Sequence, residues 1–246
     1  MGREVAALCE AGYRGASLLL GVDREEGEYA GAPIFASFGD VPRDAAIDCI
    51  IDFSHHSAAP SLLEFARERG IPTVVATTGH TDEEMEAIRA AALDIPVFHS
   101  ANMSLGVALL VELAKSAALA MPEAEIEIIE KHHNRKLDAP SGTALMIADA
   151  IMEVRPDSYT NLGRSGQGKR TREEIGIHAI RMGNIVGEHE VIVGTPNQTI
   201  TLKHEAHSRA LFAEGAIAAA AFILSRSAGL YDMKSLVSDT KDTAVV

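Results

Sequence analysis

Ala46-Ile47-Asp48-Cys49-Ile50-Ile51-Asp52-Phe53, then a helical stretch over 57–69, the stop residue Gly70 and the run Ile71-Pro72-Thr73-Val74-Val75-Ala76, make up the passage that decides the fold. Two short apolar runs of strand length flank one helix, which is the pattern of a β-α-β unit with parallel strands covered on both faces. Moving toward the C-terminus, Thr81 precedes Glu84 by three residues, the spacing of a capping box, and a further apolar run follows at 95–98. Moving toward the N-terminus, residues 3–11 predict a helix stopped by Gly12, and 16–22 a strand ending at Asp23. The first hundred residues therefore predict an α/β domain with a parallel sheet.

The pattern changes after a long apolar helix over 105–121. Glu125, Glu127 and Glu130 interleave with Ile126, Ile128 and Ile129, which predicts a half-buried strand. Residues 175–181, 188–193 and 199–203 read as further strands, the last two joined by a turn at Thr195-Pro196-Asn197. Few helices separate them, so this part predicts an α+β sheet. An alanine-rich helix over 209–224 closes the pattern and returns to the first domain. The expected division is 1–103 plus 214–246 for the first domain and 104–213 for the second.

At 246 residues the chain suits one or two domains. With 47% hydrophobic and 23% charged residues it is neither disordered nor fibrous. Lys and Arg number 22 against 35 Asp and Glu, and the net charge of −13 argues against a nucleic-acid partner. The alanine-rich helix is interrupted by Glu214, and Met1-Gly2-Arg3-Glu4 lacks the apolar run of a signal peptide, so no membrane partner and a cytoplasmic location are expected. Cys9 and Cys49 both lie in apolar surroundings and read as buried free thiols.

Two places point to chemistry. Asp23 stands 21 residues beyond Gly2 at the end of a strand, the place from which an acidic side chain meets an adenosine ribose in a Rossmann-like dinucleotide-binding domain. A simple strand-ending turn residue fits the same position. Arg24 beside it suits a 2′-phosphate as Asp23 suits a free 2′-hydroxyl. The denser signal is Glu130-Lys131-His132-His133-Asn134-Arg135-Lys136-Leu137-Asp138-Ala139-Pro140-Ser141-Gly142-Thr143, between a strand and an apolar helix. Ser141 is a good N-cap, so the amides of Gly142 and Thr143 open an anion site at a helix N-terminus. Lys136 adds a cation, and the two histidines can exchange protons near neutrality. Together they describe a site for a carboxylated substrate that must be protonated.

No metal site is expected, because His55-His56 and His132-His133 are adjacent in extended backbone and His204 and His207 are three apart. Gly163-Arg164-Ser165-Gly166-Gln167-Gly168-Lys169-Arg170 misses a phosphate-binding loop, with Arg170 where Ser or Thr would hold magnesium. It reads as a mobile basic loop able to close over an anion.

The run from Glu130 to Ala144 resembles the signature E-x-H-H-x-x-K-x-D-A-P-S-G-T-A of the dihydrodipicolinate reductase family. Weaker matches are Asp52-Phe53-Ser54, Thr77-Thr78-Gly79, Ala101-Asn102-Met103-Ser104, Gly187-Glu188-His189 and Gly229-Leu230-Tyr231-Asp232-Met233. The resemblance implies reduction of a cyclic dicarboxylate by NADH or NADPH in diaminopimelate and lysine biosynthesis, by a homotetramer. It implies His132 as proton donor with Lys136 as its catalytic partner, and His133, Gly142 and Thr143 on the substrate carboxylates. It places Met1, Gly2, Asp23, Arg24, Ala76, Thr77, Thr78, Ser100, Ala101, Asn102 and Met103 on the cofactor. Only Met1-Gly2 matches the family's G-x-x-G-x-M-G loop, so the first strand and the rest of the loop are expected to precede Met1, and without them weak cofactor binding and an exposed sheet centre are expected. Ala76 stands where glycine is usual, and its methyl is expected to crowd the nicotinamide ribose modestly. A non-catalytic NAD(P)H sensor and a reductase of another small dicarboxylate are the alternatives.

Overall fold

A computed structural model describes residues 1–243. The chain divides into two units, residues 1–105 with 210–246, and residues 106–209.

The first unit opens with helix α1 (Gly2–Glu10), which Gly12 ends in the left-handed conformation at φ 68°. Only the end of the strand expected over 16–22 forms, as β1 (Gly21–Val22). It pairs in parallel with β3 (Ala32–Phe35), which also pairs antiparallel with β2 (Gly27–Tyr29). Residues 16–20 lie outside any ladder, so nothing fixes them as strand. The decisive passage gives β4 (Ile50–Asp52), α2 (Ala59–Arg69) and β5 (Thr73–Val75). Gly70 caps α2 at φ 66°. Both arms of the Thr81–Glu84 capping box form at the start of α3 (Asp82–Ala91), which leads to β6 (Pro96–His99). Leu62, Leu63 and Ala66 of α2 pack with Ile88 and Ala91 of α3 against Val75 and Val97 of the sheet.

The second unit takes in helix α4 (Leu105–Ala120) beyond its first residue and then β7 (Glu125–His132). Helix α5 (Gly142–Met152) and β8 (Tyr159–Leu162) follow. The remaining strands are β9 (Glu174–Arg181), β10 (Gly187–Thr195) and β11 (Gln198–Ala206). The sheet order is β11-β10-β7-β9-β8, with β7, β9 and β8 parallel and β10 and β11 antiparallel. Its apolar face carries Ile126, Ile128, Ile175, Ile177, Val191 and Val193 onto Ile147 and Ile151 of α5 and Leu110 and Ala114 of α4.

Back in the first unit come α6 (Ala210–Ile223), β12 (Gly229–Tyr231) and α7 (Met233–Thr243). The parallel sheet runs β12-β6-β5-β4, and among the described residues no strand pairs with the outer edge of β4. Val5 of α1 packs on Ala213 and Ile217 of α6. No described helix is long and apolar enough to cross a membrane.

Candidate active site

Strand β7 alternates, and every second residue from Ile126 to His132 turns into the unit. Ile126 and Ile128 meet the apolar core, but the next two places on that face belong to Glu130 and His132, the former fully buried and the latter 9% exposed. A buried carboxylate survives only when its oxygens are satisfied. Here Arg181 forms a two-pronged pair with it, Nη1 to Oε2 at 2.7 Å and Nη2 to Oε1 at 2.6 Å. The Ser141 amide donates to Oε1 at 3.0 Å, and His132 Nδ1 lies 2.6 Å from Oε2. Burial pushes the Glu130 carboxyl up, but the hydrogen bonds from His132, Arg181 and Ser141 outweigh it and hold the group at about 2.

Ser141 ties this cluster to α5. Its Oγ accepts the Ala144 amide at 3.2 Å as N-cap and lies 3.1 Å from His189 Nε2 of β10. Gly142 and Thr143 form the first turn, where the helix dipole favours an anion. Burial, then the nearby His132, pushes the His189 imidazole down to about 4, so it is neutral at neutral pH. Its ring meets that of His132 edge-on with centroids 5.2 Å apart. The other nitrogen of His189, Nδ1, is buried without a partner. Before Ser141 the chain turns at His133–Lys136, the Lys136 amide donating to the His133 carbonyl at 3.2 Å, and Lys136 Nζ pairs with Asp138 at 2.9 Å. Burial first, then the Arg135 cation, lowers the His133 imidazole.

His132, His133, Lys136, Gly142 and Thr143 thus gather in one unit around the start of α5. The reading from sequence did not assign Glu130, Arg181 or His189 a place here. Glu130 carried a signal: it falls on the buried parity of a strand whose other buried members are isoleucines. In the basic loop 163–170 the two arginines are engaged within the protein, and Lys169 is exposed. Arg164 is committed to Glu174 at 2.6 Å and Arg170 to Glu127 at 2.6 Å, with a further bond from Arg170 to the Glu174 carbonyl. Both guanidiniums are spent within the protein and not held ready for an anion.

The residues expected on a dinucleotide lie in the first unit. Met1 is the N-cap of α1 and makes no side-chain capping bond, so the first-turn amides from Gly2 onward carry no side-chain cap. Asp23 follows β1, its amide donating to Phe35 and one carboxylate oxygen accepting the Arg24 amide at 2.7 Å. Both side chains are exposed. At the C-terminal ends of β4 and β5, the Ala76 amide donates to the Asp52 carbonyl and Thr77 Oγ1 to the Asp52 carboxylate at 2.8 Å. Ala76 and Thr77 are buried, and Thr78 is exposed beside them. After β6, Ser100 Oγ donates to the Asn102 carbonyl at 2.9 Å, Ala101 is exposed and Met103 is buried. An uncapped helix start, an exposed carboxylate at a strand end and turns at the carboxyl ends of parallel strands are features that a nicotinamide dinucleotide uses, and these residues are compatible with one, with Met1-Gly2 alone standing for its glycine-rich turn. Among the described residues no cluster of three His, Cys, Asp or Glu side chains is placed to hold a metal.

Two family profiles match along the chain, "Dihydrodipicolinate reductase, N-terminus" over residues 1–103 and "Dihydrodipicolinate reductase, C-terminus" over 106–237. The chain belongs to the dihydrodipicolinate reductase family. Relatives named 4-hydroxy-tetrahydrodipicolinate reductase include one from Caldanaerobacter subterraneus subsp. tengcongensis, 49% identical over 83% of this chain and 82% of its own. Another, from Clostridium tetani, is 39% identical over 97% of this chain and 93% of its own. Among solved structures, a dipicolinate-bound dihydrodipicolinate reductase from Paenisporosarcina sp. TG-14 shares the fold with a TM-score of 0.79 at 24% identity, covering 94% of this chain and 92% of that one. Within this reductase family the first unit is the dinucleotide-binding domain, Rossmann-like in its parallel sheet, and the second is a mixed-sheet domain.

Proposed function

We propose that this reductase converts 4-hydroxy-tetrahydrodipicolinate to tetrahydrodipicolinate with NADH or NADPH, in the diaminopimelate route to lysine, with His132 as proton donor. The observation that carries the reading is the Glu130–His132 contact at 2.6 Å. It occupies Nδ1 and leaves Nε2 as the nitrogen able to hand a proton outward.

The bound nicotinamide supplies the hydride. Departure of the 4-hydroxyl as water leaves a conjugated C=C–C=N system, and hydride added to it leaves negative charge that a proton must quench. His132 releases the proton from Nε2, and the Lys136 ammonium, 2.9 Å from Asp138, stabilises charge on the substrate as it builds. The first-turn amides of Gly142 and Thr143 and the imidazole of His133 hold the carboxylates. On the dinucleotide, Asp23 takes ribose hydroxyls, or Arg24 a 2′-phosphate, while Met1 and Gly2 offer the helix start to the pyrophosphate. Ala76, Thr77, Thr78, Ser100, Ala101, Asn102 and Met103 line the nicotinamide end. The same reading takes the enzyme as a cytoplasmic homotetramer acting on a small cyclic dicarboxylate; light scattering at four times 26.1 kDa checks the assembly.

The test is loss of NADPH or NADH absorbance when the purified chain receives the product of dihydrodipicolinate synthase. We expect turnover, and His132→Gln should lower kcat by about a hundredfold or more while KM changes little. Cofactor binding without turnover in the parent chain would favour a sensor, and parental kcat in the variant would remove His132 as donor.

A further inference from the structure

We propose that Glu130 and Arg181 are a positioning pair for His132, in which the carboxylate fixes the ring through Nδ1 and the guanidinium balances the carboxylate's charge, so that together they set how readily Nε2 gives up its proton. The proposal rests on the reading of His132 as proton donor and assigns roles to two residues that touch neither substrate nor cofactor in that reading.

The geometry separates the two tasks. A buried carboxylate 2.6 Å from an imidazole fixes the ring's orientation and directs the Nδ1 proton toward itself. On its own it would also stabilise the charged ring strongly, because an ion pair gains most where water is excluded. A ring held charged in that way is a poor acid. Arg181 answers this by meeting both oxygens of Glu130, at 2.7 and 2.6 Å, so the carboxylate faces His132 already neutralised. Register supports the design: Arg181 is the β9 residue directly beside His132 of β7. Its other bonds, to the carbonyls of Ile180 and Asp138, keep the guanidinium flat against Glu130, and its buried Nε finds no partner.

The other groups around His132 do not replace this balance. From β10 comes His189, neutral at neutral pH. From the loop before α5 come His133 and Lys136, the latter paired with Asp138, and from the start of α5 the uncharged Ser141. Arg181 is the cation at bonding distance from Glu130 among the described residues.

The experiment is the pH profile of kcat/KM for three variants and the parent. Activity needs the protonated ring, so it falls on the alkaline side as His132 loses its proton. Glu130→Gln keeps the shape but removes the negative charge, and the alkaline limb should move to lower pH by about one unit. Arg181→Met leaves the carboxylate unbalanced, and the limb should move to higher pH by about one unit. Arg181→Lys keeps the cation and should leave the limb at the parental position. Limbs that move in the same direction, or stay put in both charge variants, overturn the proposal. Failure of the underlying reading looks different, since His132→Gln would then retain parental kcat and the parental limb. If variants do not fold, nitrogen-15 histidine spectra of the parent decide the matter. Above the alkaline limb, once Nε2 has given up its proton, the proton that remains on His132 is expected on Nδ1, facing Glu130, and one found on Nε2 sinks the pairing.

Discussion

Gly187 shows how closely His132, the proposed proton donor, is seated. A β-carbon there would lie 3.1 Å from His132 Nε2 and 3.4 Å from Cδ2, tighter than ordinary contact, so the ring would have to give by a few tenths of an ångström. Gly187→Ala should therefore lower kcat by about tenfold with its unfolding temperature within a few degrees of the parent's, as kinetics and a thermal melt would show. His189 makes a second prediction. Its pKa is depressed to about 4 by burial, so the unfolded chain binds protons more readily than the native one below about 6.5. Its share of stability is complete above that pH and is lost as pH falls toward 4, about 3 kcal/mol over the window. Glu130, held at about 2, adds a second loss between roughly 4.5 and 2. Denaturant titrations at stepped pH should show the decline, and His189→Gln should flatten it between 6.5 and 4. A parental slope in that variant would place the proton uptake elsewhere. At this scale the sequence was readable where a residue type meets local geometry, as with the Ser141 cap, and the same motif brings His132 and Lys136 close to it. Glu130 and Arg181 were hidden because they lie 51 residues apart and meet only through strand pairing.

Helix α6 is alanine-rich, yet Gly215 interrupts it where a helix former would be expected. A β-carbon at 215 would sit 1.7 Å from the Met103 carbonyl oxygen, so the helix reaches that close to the β6–α4 turn only because no side chain is there. Two effects oppose each other in Gly215→Ala. Helix propensity would favour alanine by about 1 kcal/mol, whereas overlap with a backbone atom forces the helix away and costs about 1–3 kcal/mol or more. With a separation of 1.7 Å the steric term wins, and denaturation should show a net loss of about 2 kcal/mol. A stabilised variant would mean that the helix slides at little cost. Elements were legible where local chemistry is strong, as in the Thr81–Glu84 box and the Gly70 stop. Strands β2 and β8 escaped because they are short and polar, and β3 because it is short; partners that no local pattern announces stabilise all three. The run at 16–20 shows the converse, since apolar residues alone do not make a strand where no ladder forms.

Over the whole molecule, a net charge of −13 is set against a site proposed to take a dianion. The two fields differ in range. The cations near the start of α5, Arg135, Lys136 and Arg181, act over a few ångströms, and two of them are partly balanced by Asp138 and Glu130. The excess of 13 negative charges is spread over the chain and acts at longer range. Salt with a Debye length of about 8 Å at 0.15 M removes the long-range term first and leaves direct contacts largely intact. Raising ionic strength from about 0.01 to 0.15 M should therefore hold kcat/KM steady or raise it severalfold, whereas an enzyme that steers its substrate by a cationic funnel slows steeply under the same change. Lys136→Ala removes a short-range cation, so it should raise KM and lower kcat by about tenfold each at both salt concentrations. Stopped-flow or steady-state rates across the salt series measure this. A fall in parental kcat/KM of tenfold or more would show that the cations near the start of α5 project their field well beyond the site, and that the distribution of charge, not its sum, governs the approach of the substrate as well as its final contacts.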